Sequence, residues 1–142
     1  MSADSWEKKV KHLEMIERII ERMGRNSFQL KGWTVALVTA IIALSTQETN
    51  GKTLILSIIP SVAFWLLDSF YLQVERKYRK LYEIIAKKDE NEIDFNMDTK
   101  IIEVPDDEES IIAYGGCFFS KTELSFYGAI ITTIAGFELV FG

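Results

Sequence analysis

The sequence predicts an all-α membrane protein: a membrane helical bundle of three transmembrane helices with a cytoplasmic antiparallel helical hairpin extension. Three observations predict it. Residues 32–44, 54–72 and 124–141 are apolar and carry only Asp68 and Glu138 as charges. Of 16 Lys and Arg residues, seven lie at or before Lys31 and eight between residues 73 and 121, leaving Lys52 alone in the loop joining the first two stretches. Apolar stripes of similar spacing flank that hairpin at its basic end, on residues 6–23 and 71–85. A basic bias of this kind places the N-terminus and the middle segment in the cytoplasm, and the first loop and the C-terminal end outside.

The totals bound the function. A chain of 142 residues holds one domain. A net charge of −5 argues against a nucleic-acid partner, which calls for a basic excess. One cysteine, Cys117, and one histidine, His12, exclude an internal disulfide, a cysteine zinc site and a multi-histidine metal centre. There is no phosphate-cradling glycine loop and no Ser–His–acid set. The expectation is therefore a non-enzyme with no catalytic residue, no metal and no cofactor.

Residues 4–24 form an amphipathic helix. Trp6, Val10, Leu13, Ile16, Ile20 and Met23 make one apolar face, and Asp4 with Glu7 resembles a capping box at its start. Gly24, Arg25, Asn26 and Ser27 form a candidate break, since Gly suits a C-cap and Asn or Ser an N-cap. The first span covers 28–46. The charged run at the N-terminus is no apolar leader, so this span is expected to direct insertion. Asn50 and Gly51 signal the hairpin turn.

The second span covers 53–74, with Pro60 as a candidate helix kink. No stop signal follows until Lys87 and Lys88, so the helix is expected to continue to about residue 87. Its outer half carries Tyr71, Val74, Tyr78, Leu81 and Ile85, a heptad-like stripe matching the N-terminal one. The two stripes run in opposite directions and are expected to pack together.

Residues 89–119 change character, with ten acidic residues and one Lys between Asp89 and Glu109. A solvated, partly irregular cytoplasmic segment is expected, with a short strand over 100–104, a turn at Pro105, Asp106 and Asp107, and a flexible joint at Gly115 and Gly116. It lacks calcium-loop spacing. The third span, 121–141, starts on a capping box of Ser120 and Glu123 with a staple of Phe119 and Leu124. Gly128, Thr132 and Gly136 recur every four residues and form a helix-packing face for close contact.

Folding the first hairpin about residues 49–50 puts Lys31 level with Asp68, and Trp33 level with Trp65. An ionised side chain within a span costs about 2.5–3.5 kcal/mol on insertion scales, which opposite charges at equal depth would offset. Lys31 and Asp68 are the candidate intramembrane polar pair. Their functional reading is an ion, proton or gating site near the inner leaflet; the plainer one is a structural ion pair. Arg76, Lys77, Arg79 and Lys80 follow the second span directly and suit anionic headgroups.

Three stretches resemble a family of small uncharacterised bacterial integral membrane proteins. They are Asn26-Ser27-Phe28 with the flanking residues from Met23 to Trp33, then Phe64-Trp65 through Asp68 to Leu81-Tyr82, then Phe119 through Phe126-Tyr127-Gly128. The resemblance implies a multi-pass protein of the bacterial inner (plasma) membrane and places Lys31 and Asp68 in recognisable motifs. It implies no activity.

The function expected is a small oligomeric integral membrane protein, a channel or membrane-perturbing effector whose partners are the lipid bilayer and further copies of itself. The alternative is a membrane anchor or adaptor that presents the cytoplasmic hairpin and acidic segment to a protein partner.

Overall fold

A computed structural model describes residues 3–45, 56–103 and 105–141. The described chain is helical, with no strand among its residues: α1 (Ala3–Ser45), α2 (Ile58–Lys87), α3 (Asp106–Ile112), α4 (Tyr114–Phe118) and α5 (Lys121–Phe141). The expected turn at Asn50 and Gly51 lies outside the described residues.

α1 is one helix of 43 residues, about 65 Å long at 1.5 Å per residue. The expected break at residues 24–27 does not occur. The buried positions explain why. Ser5, His12, Ile16, Met23, Leu30, Thr34, Val38 and Ser45 follow one another at intervals of seven or four, so a single stripe runs through the glycine. Packing along that stripe outweighs the ~1 kcal/mol that Gly costs in a helix. Ser27 does not cap a new helix; its hydroxyl accepts a bond from Lys31 Nζ at 3.1 Å.

α2 packs antiparallel along α1 and ends at Lys87. Where the two stripes meet, Ile16, Leu81 and Ile85 are buried together, with Leu13, Ile20, Tyr78 and Tyr82 packed around them. α2 begins at Ile58 after Ser57, so Pro60 lies in its first turn. An N–H there has no intrahelical partner to lose, so proline is tolerated at that position. Residues 53–55, where the span was expected to start, are outside the described residues.

The segment after α2 is also corrected. It is not a loosely solvated run, because Ile93, Met97 and Ile102 pack onto the Ile16–Leu81–Ile85 core. Its polar residues bend it locally. Asp89, Asp94 and Asp98 each accept a backbone N–H two residues on, from Asn91, Asn96 and Lys100, and Asn96 does the same for Asp98. These side-chain turns replace the expected strand with a 3-10 turn at Thr99–Ile101. Phe95 sits at φ 54° and lays its ring against His12, whose Nε2 is 3.2 Å from Asn96 O. Lys9 donates to Lys88 O at 2.8 Å. Residues 88–102 thus form a strap across the end of the hairpin.

The strap is acid-sensitive. The backbone and side-chain N–H groups of Asn91 hold Asp89 below the usual carboxylate range, and the backbone N–H of Asn96 does the same for Asp94. Groups lowered in the folded state contribute stability that is fully present above their unfolded values near pH ~4, and lost as the pH falls through the folded ones. Cleavage within 88–102 by an acid-stable protease should rise as the pH drops below about 4. A cleavage rate flat down to pH ~2 would contradict this account of the turns.

α3 opens where a turn was expected, with four acidic residues in its first turn: Asp106, Asp107, Glu108 and Glu109. They suit the positive end of the helix dipole. The expected flexible joint is a tight corner. A Cβ at Gly116 would lie 1.8 Å from Ser110 O, so only glycine lets the end of α3 pass α4 this closely. Arg76 and Gln73 of α2 donate to the carbonyls of Ile111 and Ile112 at that corner. Arg76 also reaches Cys117 Sγ at 3.6 Å, and Lys80 meets Glu108. Of the basic residues after the second apolar stretch, Arg76 and Lys80 therefore clasp the chain's own corner, while Arg79 pairs with Glu75 on α2. Burial pushes the Cys117 thiol up, with Arg76 opposing. Gly116→Ala should open the corner and raise the rate of Cys117 alkylation at pH 7 by about tenfold or more, read by mass spectrometry. An unchanged rate would mean that the corner does not shield the thiol.

Candidate functional site

Three helices bring their charges to one point. Lys31 of α1 donates to Asp68 Oδ2 of α2 at 2.5 Å and to Glu123 Oε1 of α5 at 2.8 Å. Ser27 takes its third proton, so the ammonium has no spare donor. Tyr127, one turn beyond Glu123, donates from Oη to Asp68 Oδ2 at 3.0 Å. The side chains of Asp68 and Glu123 are 0% and 2% exposed, that of Lys31 17%.

Each helix delivers its residue for a local reason. Lys31 follows Ser27 by one turn, and Leu30 and Thr34 on the same face are buried. Thr34 turns its hydroxyl back to Leu30 O at 2.7 Å. On α2, Asp68 lies beside Ser69, which bonds Trp65 O in the same way. Trp65 fixes this level of the bundle. Its ring stacks on Phe118 at 4.2 Å and on Tyr127 at 5.6 Å, and its Nε1 donates to Phe118 O at 3.1 Å. Glu123 sits in the first turn of α5, where the helix dipole favours a carboxylate, and Ser120 Oγ accepts its backbone N–H at 3.4 Å. The Lys31 ammonium also lies 5.8 Å from the Phe126 ring centre and 5.9 Å from that of Tyr127. Contacts at this range are weakly favourable.

No protein-family model, no curated protein and no solved structure matches the chain.

The structure brings Lys31 and Asp68 together and adds Glu123 and Tyr127. Sequence reasoning assigned Glu123 to a capping box, and half of that box is present. The carboxylate, however, turns to Lys31 instead of back to its own helix. One signal was available: Glu123 stands at the foot of the last apolar stretch, the same boundary at which Lys31 and Asp68 stand in the first two. Trp33, placed level with Trp65, is 61% exposed and faces away.

Above the cluster α1 and α5 have little close approach. Between them opens a groove of about 610 Å³, lined by Val35, Val38, Ile42, Phe126, Ala129 and Ile130, with Lys31 at its foot. The face of Gly128, Thr132 and Gly136 has no close neighbour among the described residues. A Cβ on either glycine would meet nothing within 4 Å, and Thr132 is exposed. Among the described residues no group of three or more His, Cys, Asp or Glu is placed to hold a metal ion.

Proposed function

We propose that the protein is a three-span integral membrane protein that assembles with further copies of itself and passes or gates cations at the Lys31–Asp68–Glu123 cluster. The observation that carries the reading is this cluster: three charged side chains, two of them carboxylates with almost no exposure, at one end of three apolar helices.

Several features support the membrane setting. The helices Asp4–Ser45 and Lys121–Val140 are long and apolar enough to cross a bilayer, and only 17% of the apolar window of each is buried within the chain. A water-soluble bundle would bury such windows in its core. Phe28, Ile59, Leu139 and Val140 are all more than 60% exposed. Hydroxyls on these helices bond their own backbone, as at Ser61, Thr132 and Thr133, which suits surroundings without water. Among the described residues only these two helices meet that measure, and we take α2 as the third span. Asp68, Ser69 and Gln73 dilute its apolar character, and it meets both α1 and α5. The basic residues put the strap and hairpin end in the cytoplasm and the far end of α5 outside. The resemblance of its motifs to small bacterial integral membrane proteins supports a setting in the inner membrane. Self-association is supported by the open groove and by the unpartnered small-residue face.

The test is ion flux. Liposomes carrying the purified protein should pass monovalent cations, and Asp68→Asn should change the flux by about tenfold or more. Flux equal to that of empty liposomes at every protein-to-lipid ratio would defeat the reading. A second reading, an anchor for a cytoplasmic protein partner, is favoured by the exposed Asp106, Asp107 and Glu109 on α3. Loss of a co-purifying protein on replacing these three by Asn or Gln would select it.

A further inference from the structure

The cluster does not balance. One ammonium faces two carboxylates, leaving one negative charge where almost no surface meets solvent. An unpaired buried charge costs several kcal/mol or more, and such a site neutralises instead. The hydrogen bonds are unbalanced in the same place. Asp68 Oδ2 accepts from Lys31 and Tyr127, and Glu123 Oε1 accepts from Lys31, but Asp68 Oδ1 and Glu123 Oε2 are buried without a partner. Both donors are spent: Lys31 has used three protons and Tyr127 its one. The two carboxyl groups share one ammonium, each accepting a bond from Lys31 Nζ.

We propose that the cluster is a one-proton binding site, in which Asp68 and Glu123 share a single exchangeable proton and Lys31 stays charged. The proton comes from water at the foot of the α1–α5 groove, where Lys31 is the exposed member of the cluster. One O–H bond of a hydronium ion there breaks, leaving water, as one O–H bond forms on a carboxyl, which then hydrogen-bonds to the other. The net charge of the cluster then goes from −1 to zero, and both orphaned oxygens gain a partner. This refines the proposed cation site: the same carboxylates alternate between a neutral, closed hydrogen-bonded set and an anionic one that attracts a cation. The groups facing the pair are Lys31 from α1, Tyr127 from α5 and the Cys117 thiol from α4, with Arg76 of α2 behind that thiol. Only Lys31 among them bonds both carboxylates.

The experiment is infrared spectroscopy of the full-length protein in detergent, needing no current and therefore separable from the flux test. At neutral pH the wild type should show a protonated-carboxyl C=O band that shifts in D2O and disappears as the pH is raised. Asp68→Asn and Glu123→Gln should each abolish it, because the remaining carboxylate then pairs with Lys31. Should one variant fail to fold, the other and the wild-type titration still decide. Absence of the band in the wild type, or its retention in a folded variant of either kind, overturns the proposal. A band that appears only when sodium is replaced by choline also overturns it, since an inorganic cation would then supply the missing charge.

Discussion

Lys31→Met is expected to cost about 3–5 kcal/mol of stability and to release α5 from the hairpin. Removing one partner of a buried ion pair leaves the other charge without compensation, and losses of that size are typical. Here one ammonium serves two carboxylates, donating to Asp68 and Glu123, and Tyr127 adds a further bond to Asp68. α5 depends on it heavily, since it touches α2 and α4 but barely α1. The loss should be read as a fall in thermal midpoint in detergent, together with new protease cleavage near 119–121. The triple variant Lys31→Met, Asp68→Asn, Glu123→Gln should recover most of the midpoint, because a neutral set of similar volume leaves no charge stranded. If the single variant melts with the wild type, the cluster holds nothing together.

Much of the long hairpin was legible because two kinds of pattern agreed. The stripes on residues 6–23 and 71–85 fix which faces meet, and the uncharged stretches with the turn signal fix the register. Together they put Lys31 level with Asp68. The continuity of α1 was not legible. Gly24, Asn26 and Ser27 carry local signals for a helix end, and only the partner helix, by filling the stripe on both sides, overrides them.

The third partner in the cluster was hidden by a local pattern that already explained Glu123. A Ser followed three residues later by Glu satisfies a helix start without any tertiary contact. The strap was hidden by composition. Ile93, Met97 and Ile102 are spread through an acidic run with neither the period of a helix nor that of a strand, so nothing local says they are buried. The aspartates that made the run read as solvated surface are the residues that bend it back onto the hairpin.

Leu81→Ala isolates the other half of the molecule. Leu81 has no exposure and meets Ile16 and Ile85 where hairpin and strap come together. Truncating a fully buried leucine costs about 2–5 kcal/mol, by lost transfer energy and by the cavity left behind. Leu81→Met conserves volume and should cost less than ~1.5 kcal/mol. The effect should be local. Leu81 is 13 residues from Asp68 along α2, or about 20 Å, beyond the range at which substitutions usually couple. Hydrogen-exchange protection should therefore fall at residues 12–20 and 78–93, by about thirtyfold at the lower end of that range, and hold near Lys31 and Asp68. In combination with Lys31→Met the losses should add. Equal loss of protection at both ends would mean that hairpin and cluster open as one cooperative unit, and that the charge cluster feels the packing around Leu81.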